Sequence, residues 1–380
     1  MQRRHFIMGA SSLAVVTISS VSYCAVAKTP QRAYLPWNPS PTPLADVRLD
    51  AFRYAILAPN PHNLQSWLIE LRGEDEALIF CDMEKRLPVT DPFDRQITIG
   101  FGAFIELAAI AASRRGFGVN VESFPDGQPG EQLDKRPVAR LTFKKTEGLI
   151  ADPLADHILR RRSNKQLYDM ERAIDAGALA KLAELGQATA DAAILAKAKP
   201  IILGAVETES RTPLAHKESV DLMRIGKDAV DASPDGIALV GSKIETARAL
   251  GFISAKSMLR PDSGAFKAGL EQTLEIHASI PGLFWITTPG DSRAEQLEAG
   301  RRYMRANLLA TSLGIAMHPM SQSLQEYREL ELANRNIHFL LADGECEAGC
   351  GKRIQMLARI GHAKSEIPPA PRWPMEKHLI

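Results

Sequence analysis

The chain has 380 residues, 45% of them hydrophobic and 24% charged, with a formal net charge of +1. That is globular composition with room for one large domain or two of average size. The charge balance gives no nucleic-acid footprint, and no run of eighteen apolar residues argues for a membrane span in the body of the chain.

Residues 1–27 read MQRRHFIMGASSLAVVTISSVSYCAVA. Arg3 and Arg4 precede a moderately apolar stretch, Ile7 to Ile18, and Ala25-Val26-Ala27 closes it. This is the order of an export signal. Adjacent arginines before His5 and Phe6 resemble the twin-arginine type. The resemblance implies the twin-arginine export machinery as a partner, a periplasmic or exported location, and no stable membrane insertion after cleavage. The rival reading, a helix of the mature fold, has serines on every face against it. Residues 28–44 hold five prolines and read as an extended, surface-hugging arm.

The N-terminal half is expected over 45–148. A helix is predicted from about Ala45 to Leu57, because Val47, Leu49, Phe52, Ile56 and Leu57 fall near one face. APNPHN breaks it. WLIELRG and ALIFCD alternate as a hairpin. Ile97 to Arg115 is a long apolar helix, buried between layers and closed by Gly116. VNVESF and VARLTF are two further strands.

After a linker at 145–153 the pattern restarts, and 149–380 forms the C-terminal half. ADHILRRRSNKQLYD opens with a helix, ALAKLAELG is another, and KPIILGAV reads as a strand. Residues from about 213 to 275 are mixed helical material with Pro and Gly breaks. GLFWITTPG is a strand, Ala294 to Leu313 a second long helix ending at Gly314, RIQMLARIG the last strand, and PPAPRWPMEKHLI an extended tail. AASRRGFGV and ATSLGIAM both run a long helix through Ala and Ser into Gly and out along an apolar segment. Gly116 and Gly314 are 198 residues apart, about half the chain. A duplicated α+β unit gives such an echo; so does chance similarity of helix ends.

Two stretches concentrate chemistry. APNPHNLQSW, residues 58–67, sets two asparagines, a histidine and a glutamine before a tryptophan. RRRSNKQLYD, residues 160–169, crowds four cations with a serine and an asparagine. Arginine forks and a hydroxyl suit phosphate; a solvated helix end would have the same composition. Other signals fail. IGFGAF puts Ile105 where a dinucleotide fingerprint needs its third glycine. No His/Cys/Asp set has metal spacing. Cys81 ends an apolar run and reads as a small buried hydrophobe. Cys346 and Cys350 could pair in an oxidising compartment. His62 and His318 could approach a pocket, though each fits an ordinary loop histidine.

Arg161-Arg162-Ser163-Asn164-Lys165 resembles the R-x-S-x-K opening motif of the FMN-dependent nitroreductase superfamily. APNPHNLQSW resembles that family's A-P-S-x-x-N-x-Q-P-W loop, with Ser66 in place of the proline, a change expected to loosen the loop. ARIGHAKSEIPPAPRWPMEKHL is similar to its C-terminal strand and tail. The order is unusual, because the amide loop lies in the first half and the basic motif and tail in the second. Each half lacks what the other keeps. This arrangement, with FWITTPGDSRAEQLEAGRRYMRANLLATSLGIAMHPMSQ as the longest match, is similar to the Acg-type branch.

The resemblance implies an α+β fold with the nitroreductase unit duplicated in one chain. Mixed, mostly antiparallel sheets would surround buried long helices, and one FMN would lie between the halves. Arg161, Arg162, Ser163, Lys165 and Arg372 would serve the flavin phosphate and ring edge. Asn63 and Gln65 would meet the flavin edge, and Pro59 and Asn60 would shape the backbone along it. Trp67 and Trp373 read as core or rim. The implied activity is an FMN-dependent oxidoreductase passing a hydride or electrons, ping-pong, to a small acceptor such as a nitroaromatic or quinone. The alternative is a flavin store with a lid drawn from 213–275.

Overall fold

The computed structural model describes residues 29–342 and 352–380. The expected export signal, with Cys24, and the Cys346–Cys350 segment lie outside the described residues. In chain order the main elements are α1 (Val47–Ala55), β1 (Trp67–Arg72), β2 (Glu76–Cys81), α2 (Arg95–Ser113), β3 (Phe117–Ser123), β4 (Ala139–Lys145), α3 (Ala176–Ala183), β5 (Gln187–Thr189) and α4 (Ala192–Arg211). There follow α5 (Pro213–Asp221), β6 (Met223–Ile225), α6 (Lys227–Ala232), β7 (Ile237–Leu239), α7 (Ser242–Ala249), α8 (Ala255–Met258) and α9 (Gly264–Ala278). The chain closes with β8 (Gly282–Thr288), α10 (Arg293–Ser312), β9 (Ala316–Pro319), α11 (Glu331–Leu341) and β10 (Arg353–Gly361).

Two four-stranded antiparallel sheets carry the architecture, ordered β1-β2-β4-β3 and β5-β8-β10-β9. Position by position the two orders are the same, and a long helix joins the second and third strands of each. Where β1 and β2 meet through a tight turn at 73–75, β5 and β8 are separated by everything from α4 to α9. Residues 213–275 are thus helical as expected, with a small parallel pair, β6 and β7, inside.

The sheets differ in what covers them. Strands β1 and β2 alternate buried and half-buried residues, so one face meets the core. Strand β8 is buried almost throughout, because α10 covers one face and α4 with α11 the other. This corrects the strand expected at KPIILGAV. Those residues lie inside α4, whose Asp191 side chain accepts from Ile194 N as N-cap and whose buried Ala198, Ile202, Ala205 and Glu209 recur at helical spacing. A short apolar run cannot distinguish a strand from a helix that packs on one. The arm at 28–44 is also not simply extended. Arg32–Trp37 forms a 3-10 helix with Ala33 and Trp37 buried. The helix expected to open the segment 155–169 is a 3-10 turn, Pro153–His157, followed by irregular chain.

Helices α2 and α10 cross at their glycines. A Cβ on Gly102 would lie 2.0 Å from Leu297 O, and one on Gly300 2.0 Å from Ile99 O. The pattern read as G-x-G in IGFGAF therefore serves packing. Gly100 seats the loop, since its Cβ would touch Asn60 Cβ at 3.3 Å, and Gly102 seats the other helix. Helix α2 is long and apolar enough to cross a membrane by length, but 89% of its apolar window is buried in the core. Charged ties flank the crossing. Glu106 accepts from Arg301 and Arg305. Arg95 donates across to Glu326, Gln355 O and Leu324 O, and Arg293 donates back to Thr98 and Glu131 O.

Gly300→Ala is expected to destabilise the protein by at least roughly 1–3 kcal/mol, since backbone must move. Gly204→Ala on α4 meets nothing within 4 Å and should gain up to about 1 kcal/mol from helix propensity. Urea unfolding of both variants checks the pair.

Candidate functional site

The loop at 58–66 sits at the carboxyl end of α1 and is held in an unusual shape. His62, Asn63 and Gln65 all have positive φ, at 47°, 57° and 56°. A non-glycine residue there carries strain of about 1–3 kcal/mol, so the surroundings must fix it. Asn60 Oδ1 accepts from Gln65 N at 2.9 Å. Asn63 Nδ2 donates to Pro371 O at 3.0 Å, and its Oδ1 accepts from Arg372 Nη1. Gln65 is fully buried. Its Nε2 donates to Pro234 O at 2.8 Å, and its Oε1 accepts from Trp373 N at 3.0 Å. Ser66, expected to loosen the loop, instead ties it by donating to Lys85 O at 2.6 Å. Pro59 is half-buried at the loop's start.

Arg372 returns from the C-terminal tail to this loop. It is buried, and it donates to Ile56 O, Leu57 O, Ala58 O, Pro371 O and Asn63 Oδ1. Every donor is committed, so Arg372 clamps the end of α1 to the loop rather than presenting a free cation to a ligand. Asn63 and Gln65 are likewise engaged by protein. The tail continues as an added edge on β1, with Ile380 N donating to Ile69 O.

The basic segment lies against β9 through a bridge between Ser163 and Met317. Asn164 N donates to Met317 O, and Asn164 Nδ2 to Ser365 O. Arg161 is buried and gives one bond, Nη2 to Leu57 O at 3.1 Å. Its Nε and Nη1 are sealed and have no acceptor. Burial first of all, with Arg162 adding to it, pulls its pKa down to about 10. Arg162 Nη1 donates to Leu159 O and Arg161 O. Lys165 is exposed, and desolvation by the atoms packed around it lowers its pKa. No carboxylate acts on Arg161, Lys165 or Arg372; Arg162 alone feels one, Glu366.

Trp37 is a further residue of the site, one that no motif marks. Its ring lies under three guanidinium groups, those of Arg162, Arg161 and Arg372, at 4.7, 5.6 and 5.7 Å, and its Nε1 donates to Ala370 O. In sequence it lies within the proline-rich arm. A ligand that reaches Arg161 must shift that ring or the guanidinium. Three histidines, His62, His277 and His318, feel the Lys165 charge. Of these His277 was also missed, at the end of an ordinary-looking helix. Arg359, buried in β10, had a visible signal: an arginine within the apolar run MLARIG.

The long insertion grips the loop from above. His62 Nε2 and Ser219 Oγ are 3.0 Å apart, Gly236 N donates to Asn63 O, and Trp373 Nε1 donates to Asp235 Oδ2. Glu218 accepts from Val89 N, Thr90 N and Thr90 Oγ1. Trp67 is core and Trp373 rim, as expected. Cys81 is buried and unpaired, and burial pushes its thiol up to about 12.

The donor set fits an anion. The sealed Arg161 N–H groups, without an acceptor among the described residues, cost free energy that a phosphate would offset, and the nearby Lys165 ammonium adds charge of the right sign. No family model matches the chain. The chain is similar to two Mycobacterium tuberculosis proteins, from strains CDC 1551 / Oshkosh and ATCC 25618 / H37Rv, each named "Putative NAD(P)H nitroreductase". Each is 23% identical over 351 residues, which is 88% of this chain and 93% of the relative. Among solved structures, a nitroreductase-like family protein of Bacillus cereus aligns at TM-score 0.31 and 14% identity, over 60% of this chain and 94% of that one. An FMN-dependent nitroreductase of Mycobacterium smegmatis, solved with NADPH, aligns at TM-score 0.33 and 15% identity, over 59% and 96%.

Two outcomes follow from this electrostatics. Inorganic phosphate should raise the melting temperature of the ligand-free protein in a saturable way, and Arg161→Ala with Lys165→Ala should abolish the rise. Acid should act through histidines. Burial first of all lowers His62, His277 and His338 to about 4 and His378 to about 3. A lowered folded value means their contribution is whole above about pH 6.5 and is lost as pH falls toward 4. Asp91, raised by burial to about 6, opposes this but is outnumbered. Urea unfolding should lose stability from pH 6.5 downward; a flat profile contradicts it.

Proposed function

We propose that the protein is an FMN-binding oxidoreductase of nitroreductase type. The observation that carries this reading is the basic segment at 161–165, in which buried Arg161 has two nitrogens without an acceptor and neither Arg161 nor Lys165 has a carboxylate, set beside a strained amide loop from the first half of the chain. Arg161, Lys165 and Ser163 would hold the phosphate and the charged ring edge. The 58–66 loop, locked by Arg372 and Gln65, would line the ring. FMN, when bound, supplies a carrier that accepts a hydride or electrons from one partner and yields them to a small acceptor such as a nitroaromatic or quinone. The protein orients that carrier and keeps bulk water from it.

We further propose that the two halves descend from one duplicated unit whose second site has decayed. The matched sheet orders support this, as do Gly102 and Gly300, Arg95 and Arg293, and Gly116 and Gly314, each pair 198 residues apart. Export by the twin-arginine route, to the periplasm, is part of the same proposal. Reduced nicotinamide is scarce there, which leaves room for another donor.

A second reading is favoured by one observation, the grip of the insertion on Asn63, Gln65 and His62. A closed lid over 213–275 would suit a flavin store that does not turn over with nicotinamide.

The chain purified from cells with its leader intact in the gene should be yellow and release about one FMN per chain on denaturation. Arg161→Ala with Lys165→Ala should empty it. Bleaching by NADPH supports the enzyme; bleaching by dithionite alone supports the store. A colourless chain that takes up no added FMN removes both.

A further inference from the structure

Two histidines stand beside Lys165 with no part in holding an anion. His277 lies in the last turn of α9 and His318 in β9. Their ring centroids are 5.2 Å apart at 62°. Each ring has one nitrogen committed. Arg359 Nε donates to His318 Nδ1 at 3.1 Å. A guanidinium has no lone pair to accept with, so His318 carries its proton on Nε2. Thr273 O lies 2.7 Å from His277 Nδ1. A carbonyl cannot donate, so His277 carries its proton on Nδ1 and keeps a lone pair on Nε2.

The arrangement is enforced from outside the pair. Arg359 is itself immobilised. It donates to Ile276 O, to Ser279 O and Oγ, and to Gln166 O, and it stacks on Tyr168 at 3.9 Å. His277 is 6% exposed and His318 5%. Among the described residues neither Nε2 has a protein partner, and neither is among the sealed unpartnered atoms, so both border accessible space.

We propose that His277 and His318 form a donor–acceptor pair of fixed tautomer that reads an imide edge, a ring N–H beside a carbonyl, on a ring system held at the basic segment. The proposal rests on the flavin reading and names which part of the ring this corner takes. The ligand N–H donates to His277 Nε2, and the neighbouring carbonyl accepts from His318 Nε2–H. No bond is broken and no proton changes owner. Burial, together with the Lys165 and Arg359 charges, keeps both rings neutral near pH 7, so the pattern does not invert with modest changes in pH. A ligand lacking the N–H leaves the His277 lone pair unmet in a buried place, which is where discrimination is large.

The test is a titration of the cofactor-stripped full chain with FMN and with FMN methylated on the imide nitrogen, followed by quenching of flavin fluorescence. The wild type should bind FMN at least tenfold more tightly than the methylated form. His277→Phe should bind the two alike. His277→Asn, which keeps an acceptor, should retain part of the preference and guards against a folding defect in the phenylalanine variant. Equal binding of both forms by the wild type would overturn the proposal and leave the flavin reading standing. Absence of binding by either form would overturn the flavin reading and this proposal with it.

Discussion

The molecule depends on the close crossing of α2 and α10 at Gly102 and Gly300. At that distance any side chain would strike backbone. The contact draws the two sheets to opposite sides of one helical pair. It also fixes where the connections emerge. The loop after α1 comes from one half, the 161–165 segment from the other, and Arg161 can then reach Leu57 O. Gly100, one turn-step from the crossing, seats Asn60 on the same helix. The site is thus a consequence of how the halves dock.

Charge divides the site's residues by role. Arg372 and Arg359 have their donors filled by protein carbonyls and side chains. They are fixed parts of the frame, and each holds a neighbour in a particular state: Asn63 in a left-handed conformation, His318 in one tautomer. Arg161 and Lys165 are the opposite case. Arg161 spends one nitrogen on Leu57 O and leaves two without an acceptor, no carboxylate among the described residues acts on it or on Lys165, and desolvation lowers both pKa values. A protein tolerates such groups where a ligand completes them. Trp37 covers the guanidinium cluster meanwhile, its π face standing in for an anion.

Much of the fold was legible because period and punctuation agreed. WLIELR and EALIFC alternate and became a hairpin. The two long helices stop at Gly116 and Gly314, both at positive φ. KPIILGAV misled because an apolar run that packs flat on a sheet looks the same in either conformation, and Pro200 lies within α4 without ending it. The site was half legible. RRSNK and PNPHNLQ stood out by residue type. Which cations are spent and which are open was not legible, because that depends on carbonyls far away in sequence, such as Leu57 for Arg161 and Ile276 for Arg359. Trp37 and His277 carried no local signal, since the guanidinium groups over Trp37 come from more than a hundred residues away and the ring facing His277 comes from strand β9.

The central proposal is that Arg161 and Lys165, on which no carboxylate among the described residues acts, would hold a phosphate. Comparing FMN with riboflavin on the cofactor-stripped chain tests it most directly, because the two ligands share a ring and differ in the phosphate alone. Two charge-assisted contacts correspond to a preference for FMN on the order of a hundredfold at moderate salt, weakening as salt rises. Equal affinity for the two would contradict the account and leave Arg161 and Lys165 as structural cations without a ligand.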